Sequence, residues 1–493
     1  MSGTVIALDV GTTHVKAALF DETGRVLRME KFPTPLSETA EGSVYRAEEL
    51  WGAVRSQVEK LCGASPEKPL GIAVSGMAEA GLVVGKTAGE ARTEILPWFD
   101  TRTRALAERT TREEADAAFR TTGLRNSFKY GIYKYLWLLR EKGFKKEDTV
   151  WLSVCDYIAF RLTGKFVTDP TFAARTYVYN VLKKKWDGER IRRFGLSAAN
   201  FPEVVPSGKS FGTYRGIPVA VAGHDHVCAA FGLLFRRRNG LCDSAGTSET
   251  YVGILPENAC APGFPAESGL LYGPFVDGGY FYMANVPSSG HSVEWFRKKL
   301  QLREVSYEEI DSRLSELGRE PSGILYFPYL TGMGSPWYRA DIRGVLAGLT
   351  ENRDGFQILK GITEGIQYQA KWLLSILEGV HGVRADSLVC AGGSVRNRAM
   401  MQIKADVLNR RVEIPAAAEA TLCGAAALFL LENAGRDRAE RFLANAARTE
   451  KTYRADEAVQ KKYERIFREE YLPFVNMLKE YHDRRNQQEK EII

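Results

Sequence analysis

A short glycine-threonine turn between two apolar runs occurs twice in this chain, and that recurrence limits the fold more than any other feature. At the start, Val5 to Leu8 and Val15 to Phe20 are separated by Asp9-Val10-Gly11-Thr12-Thr13-His14, and Asp21-Glu22-Thr23-Gly24 then turns into Val26-Leu27. The pattern predicts a three-stranded antiparallel meander. Leu50, Val54, Val58 and Leu61 follow at helical spacing, and Ile72 to Ser75 reads as a buried strand. Strands first and helices between strands afterwards indicate a mixed sheet with helical cover. Near the middle, Asp243-Ser244-Ala245-Gly246-Thr247-Ser248 and the apolar run Tyr251 to Ile254 begin the same arrangement again, with the Asp-to-Gly spacing one residue longer.

Beyond the second turn the spacing predicts a strand at 324–327, a long helix over about 354–379, a strand at 388–391 and helices near 396–409 and 421–433. The expected organisation is therefore two similar α/β halves, 1–238 and 239–450, divided where Arg236-Arg237-Arg238-Asn239-Gly240 interrupts the apolar pattern. The remainder, 451–493, carries Val459, Tyr463, Phe467, Tyr471 and Phe474 on one helical stripe. It is expected to pack back on a domain and to fray from Asp483 onward.

Composition narrows the function classes. Of 493 residues 44% are hydrophobic and 26% charged, enough for more than one core. Lys and Arg exceed Asp and Glu by only 67 to 61, so nucleic acid is not an expected partner. The basic runs Lys183-Lys184-Lys185 and Arg236-Arg237-Arg238 read as solvated faces. No apolar run approaches the ~20 residues that span a bilayer, so no membrane is expected and the cytoplasm is the expected compartment. Seven cysteines form no CxxC pair and read as reduced core thiols. The entry motifs of zinc proteases, P-loop and Rossmann proteins are missing.

A turn that offers Gly and two hydroxyl residues between strands lets backbone N–H groups and hydroxyls converge on phosphate oxygens. Gly11, Thr12 and Thr13 are one such set; Gly246, Thr247 and Ser248 are the other. Alone, either is as readily a capped hairpin. Facing each other, two could clamp one nucleotide's phosphates. Asp9 at the strand end is placed to hold Mg²⁺ through water. Gly392 and Gly393 follow a buried strand, and Asn397 opens the next helix, a pattern that allows close approach to a ligand or simply a tight packing turn. Cys423-Gly424-Ala425-Ala426-Ala427 reads first as a face for close helix packing. Asp225, between His224 and His226 at a strand-to-helix junction, suits a general base and is equally a helix N-cap; metal ligation lacks a further ligand at matching spacing.

With these segments in order the chain resembles the FGGY carbohydrate kinases, ATP-dependent sugar and polyol kinases of the actin, hexokinase and Hsp70 superfamily. Leu8-Asp9-Val10-Gly11-Thr12-Thr13 and Ser244-Ala245-Gly246-Thr247-Ser248 are similar to its two phosphate turns, and Ala391-Gly392-Gly393-Ser394-Val395-Arg396-Asn397 to its adenosine site. Trp98-Phe99-Asp100-Thr101-Arg102, Asp156 to Gly164 with Asp169 and Arg175-Thr176, and Phe327 to Gly332 continue the likeness. The resemblance implies two ribonuclease-H-like (actin-like ATPase) domains around a catalytic cleft, with ATP and Mg²⁺ as cofactors and Asp225 as base. Lys16 would add charge near the phosphates or serve as a surface lysine. Met77, Glu79, Trp98, Asp100 and Arg102 would line the sugar pocket, although Ser75-Gly76-Met77-Ala78-Glu79 matches neither the glycerol kinase nor the xylulokinase pattern there. A small ketose or sugar alcohol is the expected substrate. The family often forms homodimers, and the oligomeric state stays open. A non-catalytic nucleotide- and sugar-binding regulator of the same fold is the alternative, and an actin-like or Hsp70-like ATPase a third reading. Asp225 favours the enzyme, since a sensor needs no base.

Overall fold

The computed structural model describes residues 3–237, 239–255, 268–299, 302–381, 384–417 and 419–491. Its first sheet starts with the meander anticipated above: β1 (Val5–Val10) pairs antiparallel with β2 (His14–Phe20), and β2 with β3 (Val26–Pro33). Helix α1 (Ala47–Ala64) follows and buries Leu50, Val54, Val58 and Leu61 completely. Each such side chain removed from water contributes roughly 1.5–3 kcal/mol, as an upper figure. β4 (Gly71–Gly76) then lies parallel to β1. Two later strands, β5 (Ser210–Tyr214) and β6 (Ile217–His224), complete a six-stranded sheet in the order β5-β6-β4-β1-β2-β3. Helix α2 (Asp225–Leu234) leaves directly from β6.

The second sheet repeats this plan. β7 (Leu241–Ala245) and β8 (Glu249–Leu255) form the antiparallel hairpin, and β10 (Tyr280–Val286) extends it on the far side of β8, with β9 (Leu271–Pro274) at the edge. Helix α3 (Gly355–His381) precedes β11 (Ser387–Ala391), which runs parallel to β7. Helix α4 (Arg398–Leu408) leads into β12 (Arg411–Pro415), parallel to β11. Helix α5 (Ala420–Ala434) and the edge strand β13 (Thr449–Tyr453) finish the order β9-β10-β8-β7-β11-β12-β13. In both sheets an antiparallel set of three (β1 to β3; β7, β8 and β10) lies beside two parallel strands (β4 and β6; β11 and β12), so the glycine-threonine turn sits at the same corner of each.

The halves meet where α2 crosses α5, and residues of both belong to one continuous core. Small residues make that crossing possible. A Cβ on Gly232 would lie 2.9 Å from the Gly424 Cα, and one on Gly424 would lie 1.8 Å from the Cys228 carbonyl oxygen. This is the close packing expected of the Gly-Ala stretch.

The C-terminal stripe also docks. In α6 (Glu457–Ile466), the following turn and α7 (Leu472–Glu491), Val459, Tyr463, Phe467 and Tyr471 are buried against Phe327 and Tyr368, with Phe474 half-buried beside them. From Asp483, where fraying was expected, the described residues continue α7 to Glu491. Asp483 accepts a hydrogen bond from Arg339 at 2.6 Å and Asn486 donates one to Asp341 at 2.8 Å, so polar contacts hold α7 beyond its apolar stripe. The described cysteines are all unpaired; Cys62 is half-buried and the others are buried. Cys260 lies outside the described residues, as does Arg238 of the basic run. Among the described residues no helix is long and apolar enough to cross a membrane.

Candidate active site

The first turn is held from three sides. Gly11 is obligatory, because a Cβ there would lie 2.7 Å from the His14 carbonyl. Thr34 donates its hydroxyl to the Gly11 carbonyl at 2.7 Å and its N–H to the Thr13 carbonyl at 3.0 Å. The Tyr45 hydroxyl donates to the Thr12 carbonyl at 3.1 Å, and the Trp98 indole N–H donates to the Thr12 hydroxyl at 2.9 Å. Met77 is buried beneath the same turn, its sulfur 3.9 Å from that hydroxyl. The Thr13 side chain is exposed.

The second turn rests on a buried ionic group. Lys404 of α4, wholly buried, reaches both Asp243 in the middle of β7 and Glu249 at the start of β8. Glu249 also accepts from the hydroxyls of Tyr251 and Ser289, and Asp243 from the Cys390 thiol. Burial works against the Lys404 charge, but Asp243 and Glu249 outweigh it and hold the ammonium above the ordinary lysine range. The turn itself is closed by the Gly246 N–H donating to the Ser248 carbonyl at 3.0 Å. Gly290 and His291 donate their N–H groups to the Gly246 and Thr247 carbonyls at 3.2 and 2.9 Å. Gly392, with φ of +116°, packs against this corner; a Cβ there would meet the Ala245 carbonyl at 2.5 Å. Gly393 faces open space. Asn397 caps α4 by accepting from the Met400 N–H at 2.8 Å, and its buried amide nitrogen has no partner.

Between the turns lies Asp225, the first residue of α2. The His224 Nε2 is 3.1 Å and the His226 Nε2 4.0 Å from its carboxylate, which also accepts the His226 N–H at 2.7 Å. Burial would raise the Asp225 carboxyl, yet His226 and His224 hold it well below the usual carboxylate range, so it stays ionised. Its backbone is propped from behind: Thr171 accepts the His224 N–H at 2.8 Å and donates to Asp169, which also accepts from Ser207 at 2.5 Å. Gly223, φ +123°, leaves only 2.7 Å between a would-be Cβ and the Thr171 hydroxyl.

Asp9 shows the signature of a cation ligand. Its Oδ1 is buried with no hydrogen-bond partner, and burial together with the facing Asp225 pushes its carboxyl up to about 8. An unpaired buried carboxyl oxygen of this kind is one that a Mg²⁺ ion would satisfy, directly or through water, and the ion's charge would favour the ionised carboxylate. Lys16, its cross-strand neighbour, spans the cleft to Glu419 at the start of α5, 2.6 Å away.

On the sugar side, Glu79 lies 3.5 Å from Arg175. Burial would raise its carboxyl, but Arg175, His224 and Lys129 bring it below its ordinary value. Lys129 stands over the Trp98 ring at 5.0 Å. Asp100 and Arg102, expected in this pocket, spend their charges on each other: Arg102 is bidentate on Asp100, reaches the Ser43 carbonyl at 2.9 Å and covers the Trp137 ring at 5.0 Å. They brace the loop that carries Trp98. Sequence reading did not anticipate Lys129, Glu249 or Thr171 here, and it met Asp169 only as part of the family likeness.

Two ribonuclease-H-like sheets, each with a phosphate-type turn at its first hairpin and a carboxylate where they join, define an actin-like ATPase fold. The comparisons carry this to a family: the FGGY carbohydrate kinase N-terminal domain matches residues 4–232 and its C-terminal domain residues 242–431. The chain belongs to the FGGY family of carbohydrate kinases, and it is an ATP-dependent kinase of that class. A glycerol kinase of Shewanella amazonensis is 30% identical over 450 residues, 86% of this chain and 89% of that protein. Among solved structures, a ligand-bound xylulose kinase from Lactobacillus acidophilus superposes with a TM-score of 0.87 at 21% identity, covering 98% of this chain and 99% of that one. Plasmodium falciparum glycerol kinase with ADP gives 0.86 at 19% identity, covering 97% and 98%. These structural likenesses bear on the fold.

Proposed function

We propose that the chain transfers the γ-phosphoryl group of ATP to one hydroxyl of a small polyhydroxy compound, with Asp225 as the general base. The observation that carries this reading is an ionised, half-buried carboxylate held by two imidazoles at the junction of two phosphate-type turns. Asp225 accepts the hydroxyl proton as the oxygen attacks phosphorus. Gly11, Thr12 and Thr13 from one side and Gly246, Thr247 and Ser248 from the other supply N–H and hydroxyl donors to the transferring group. Lys16 adds positive charge when it exchanges Glu419 for phosphate. Gly392, Gly393 and the free Asn397 amide form the adenosine side. Asp9 would hold Mg²⁺ through water, and the ion would neutralise charge on the β- and γ-phosphates. Trp98 presents a ring to the substrate's C–H face and Glu79 accepts from its hydroxyls, with Met77 behind them. Closure of the two halves about the α2–α5 crossing would exclude water.

The test is ADP release from Mg-ATP against a panel of ketoses, aldoses, polyols and sugar acids, run beside Asp225→Asn. One compound should stimulate the wild type at least about a hundredfold, and the variant should lose ~10²–10⁴ of that rate while still binding ATP. Full activity in the variant would remove Asp225 from the mechanism. ATP binding without stimulation by any compound would favour the regulatory alternative.

A further inference from the structure

The sugar side of the cleft holds more positive charge than its carboxylates use. Glu79 is taken by Arg175, and Asp225 by His224 and His226. Lys129 and Arg125 have no carboxylate within 4.0 Å among the described residues. What they touch instead are aromatic faces: Lys129 Nζ over Trp98 at 5.0 Å and the Arg125 guanidinium over Tyr338 at 5.4 Å. Arg125 Nε is buried with no hydrogen-bond partner. A ring face returns to a cation less than the burial of an ammonium or guanidinium takes away.

These cations surround one part of the cleft. Lys129 and Arg175 both act on Glu79, while Arg125 and Arg175 both act on the Tyr338 hydroxyl. Burial pushes the Lys129 ammonium down from its ordinary value, with Glu79 working against that. The backbone is braced as well, since the buried Lys134 donates to the Lys129 carbonyl. The Trp98 ring that Lys129 covers is the same ring whose N–H fixes Thr12 in the first phosphate turn. Lys129 therefore faces the place where an acceptor lies beside the transferring phosphate.

Resting on the carbohydrate-kinase reading, we propose that the acceptor is a sugar acid, whose carboxylate is received by Lys129 and Arg125 while a hydroxyl further along the chain is presented to Asp225. This moves the substrate from the ketose or sugar alcohol expected above to an aldonate-type compound. In the reaction the hydroxyl oxygen bonds to the γ-phosphorus, the bond from that phosphorus to the ADP oxygen breaks, and the hydroxyl proton passes to Asp225. The carboxylate is unchanged. Its role is to supply the acceptor that these two half-buried cations lack, through charge-assisted hydrogen bonds.

Carbon-matched pairs test this: erythronate with erythritol, xylonate with xylitol, gluconate with glucitol. Each is assayed by ADP release with the wild type, Lys129→Met and Lys129→Arg, alongside ketoses and the corresponding sugar phosphates. The best acid should exceed its matched polyol in kcat/KM by about a hundredfold. Lys129→Met should shrink that ratio to about tenfold or less, mainly through KM on the acid, and Lys129→Arg should keep most of it. The ratio is insensitive to partial misfolding, because both substrates read the same active molecules. A polyol or ketose preferred over every acid overturns this inference and leaves the kinase reading standing. Preference for a sugar phosphate overturns the carboxylate assignment. If no compound stimulates ADP release, the kinase reading falls and this inference with it.

Discussion

Replacing Gly424 with alanine puts a Cβ where the crossing of α2 and α5 has no room for one. The added carbon would lie 1.8 Å from the Cys228 carbonyl oxygen, 2.6 Å from its carbon and 3.4 Å from the Gly232 nitrogen, all backbone atoms that no rotamer change can move. An ordinary carbon-to-oxygen contact is about 3.3 Å, so the helices must separate by about 1.5 Å. Overpacking of this kind costs about 1–3 kcal/mol. It should lower the melting temperature by several degrees for domains of this size, about 2–4 °C per kcal/mol. The larger effect is functional. Cys228 is one helical turn from Asp225, and Thr421, one turn before Gly424, points its hydroxyl at the Asp225 carbonyl 3.5 Å away. Separation at the crossing therefore shifts the base relative to the second phosphate turn, and a misplacement near 1 Å costs about a hundredfold in rate. Calorimetry and steady-state kinetics on Gly424→Ala should show both losses, while ATP binding, which in the proposed site keeps the second half's own turn and helix start, changes far less. Gly52→Ala is the control: it lies in α1, nothing is within 4 Å of its would-be Cβ, and it should be neutral or stabilising by about 0.5–1 kcal/mol. Wild-type kcat/KM and an unchanged melting temperature for Gly424→Ala would refute a rigid crossing that aligns the halves.

Three further perturbations probe other parts of the structure. Lys404→Met leaves Asp243 and Glu249 buried without their cation and should cost about 3–5 kcal/mol in urea unfolding. The loss should be smaller at pH 5 than at pH 8, because protonation relieves the stranded carboxylates; a loss below about 1 kcal/mol at pH 8 would contradict the triad. Asp9 has a folded-state carboxyl at about 8, raised by burial and Asp225, so its contribution to stability is full below the unfolded value near 4 and is lost as pH rises toward 8. In the metal-free protein, the melting temperature of Asp9→Asn minus that of the wild type should accordingly grow between pH 4 and pH 8, and a flat difference would argue against the shift. Tyr471→Ala removes a fully buried ring stacked on Phe327 at 4.8 Å and should cost about 3–5 kcal/mol, read by thermal unfolding.

What could be read without a structure was whatever the chain encodes within a few neighbours. The turns at Gly11-Thr12-Thr13 and Gly246-Thr247-Ser248, the cap at Asn397 and the strand-to-helix placement of Asp225 all follow from short-range chemistry, and the sheets put them where expected. Long-range pairing has no such signal. Lys16 meets Glu419 across 403 positions, and Lys404 of α4 is wholly buried on Asp243 across 161. Asp100 and Arg102 show the converse. Their types suited a sugar pocket, but at two residues apart in an irregular loop they were close enough to satisfy each other. Arg125 and Lys129 sit in the non-periodic stretch between Gly123 and Tyr130, where no helix or strand pattern assigns a direction to a side chain.

The two turns share a backbone plan but differ in what stands behind them, and that difference divides the labour. Behind the second turn are Lys404, Asp243 and Glu249, all buried within the second half, so its geometry is set before any ligand arrives. Behind the first are Tyr45, Trp98 and Met77, and Trp98 also faces Lys129 on the substrate side. An acceptor that draws Lys129 off the indole changes the surroundings of the very ring that holds the Thr12 hydroxyl. In the proposed site, the first turn would thus be coupled through one side chain to occupancy of the sugar pocket, while the second would not. Such an arrangement lets nucleotide bind to a rigid half and leaves the final donor contacts to form when an acceptor is present, which is the order a kinase needs if water is not to be phosphorylated in its place.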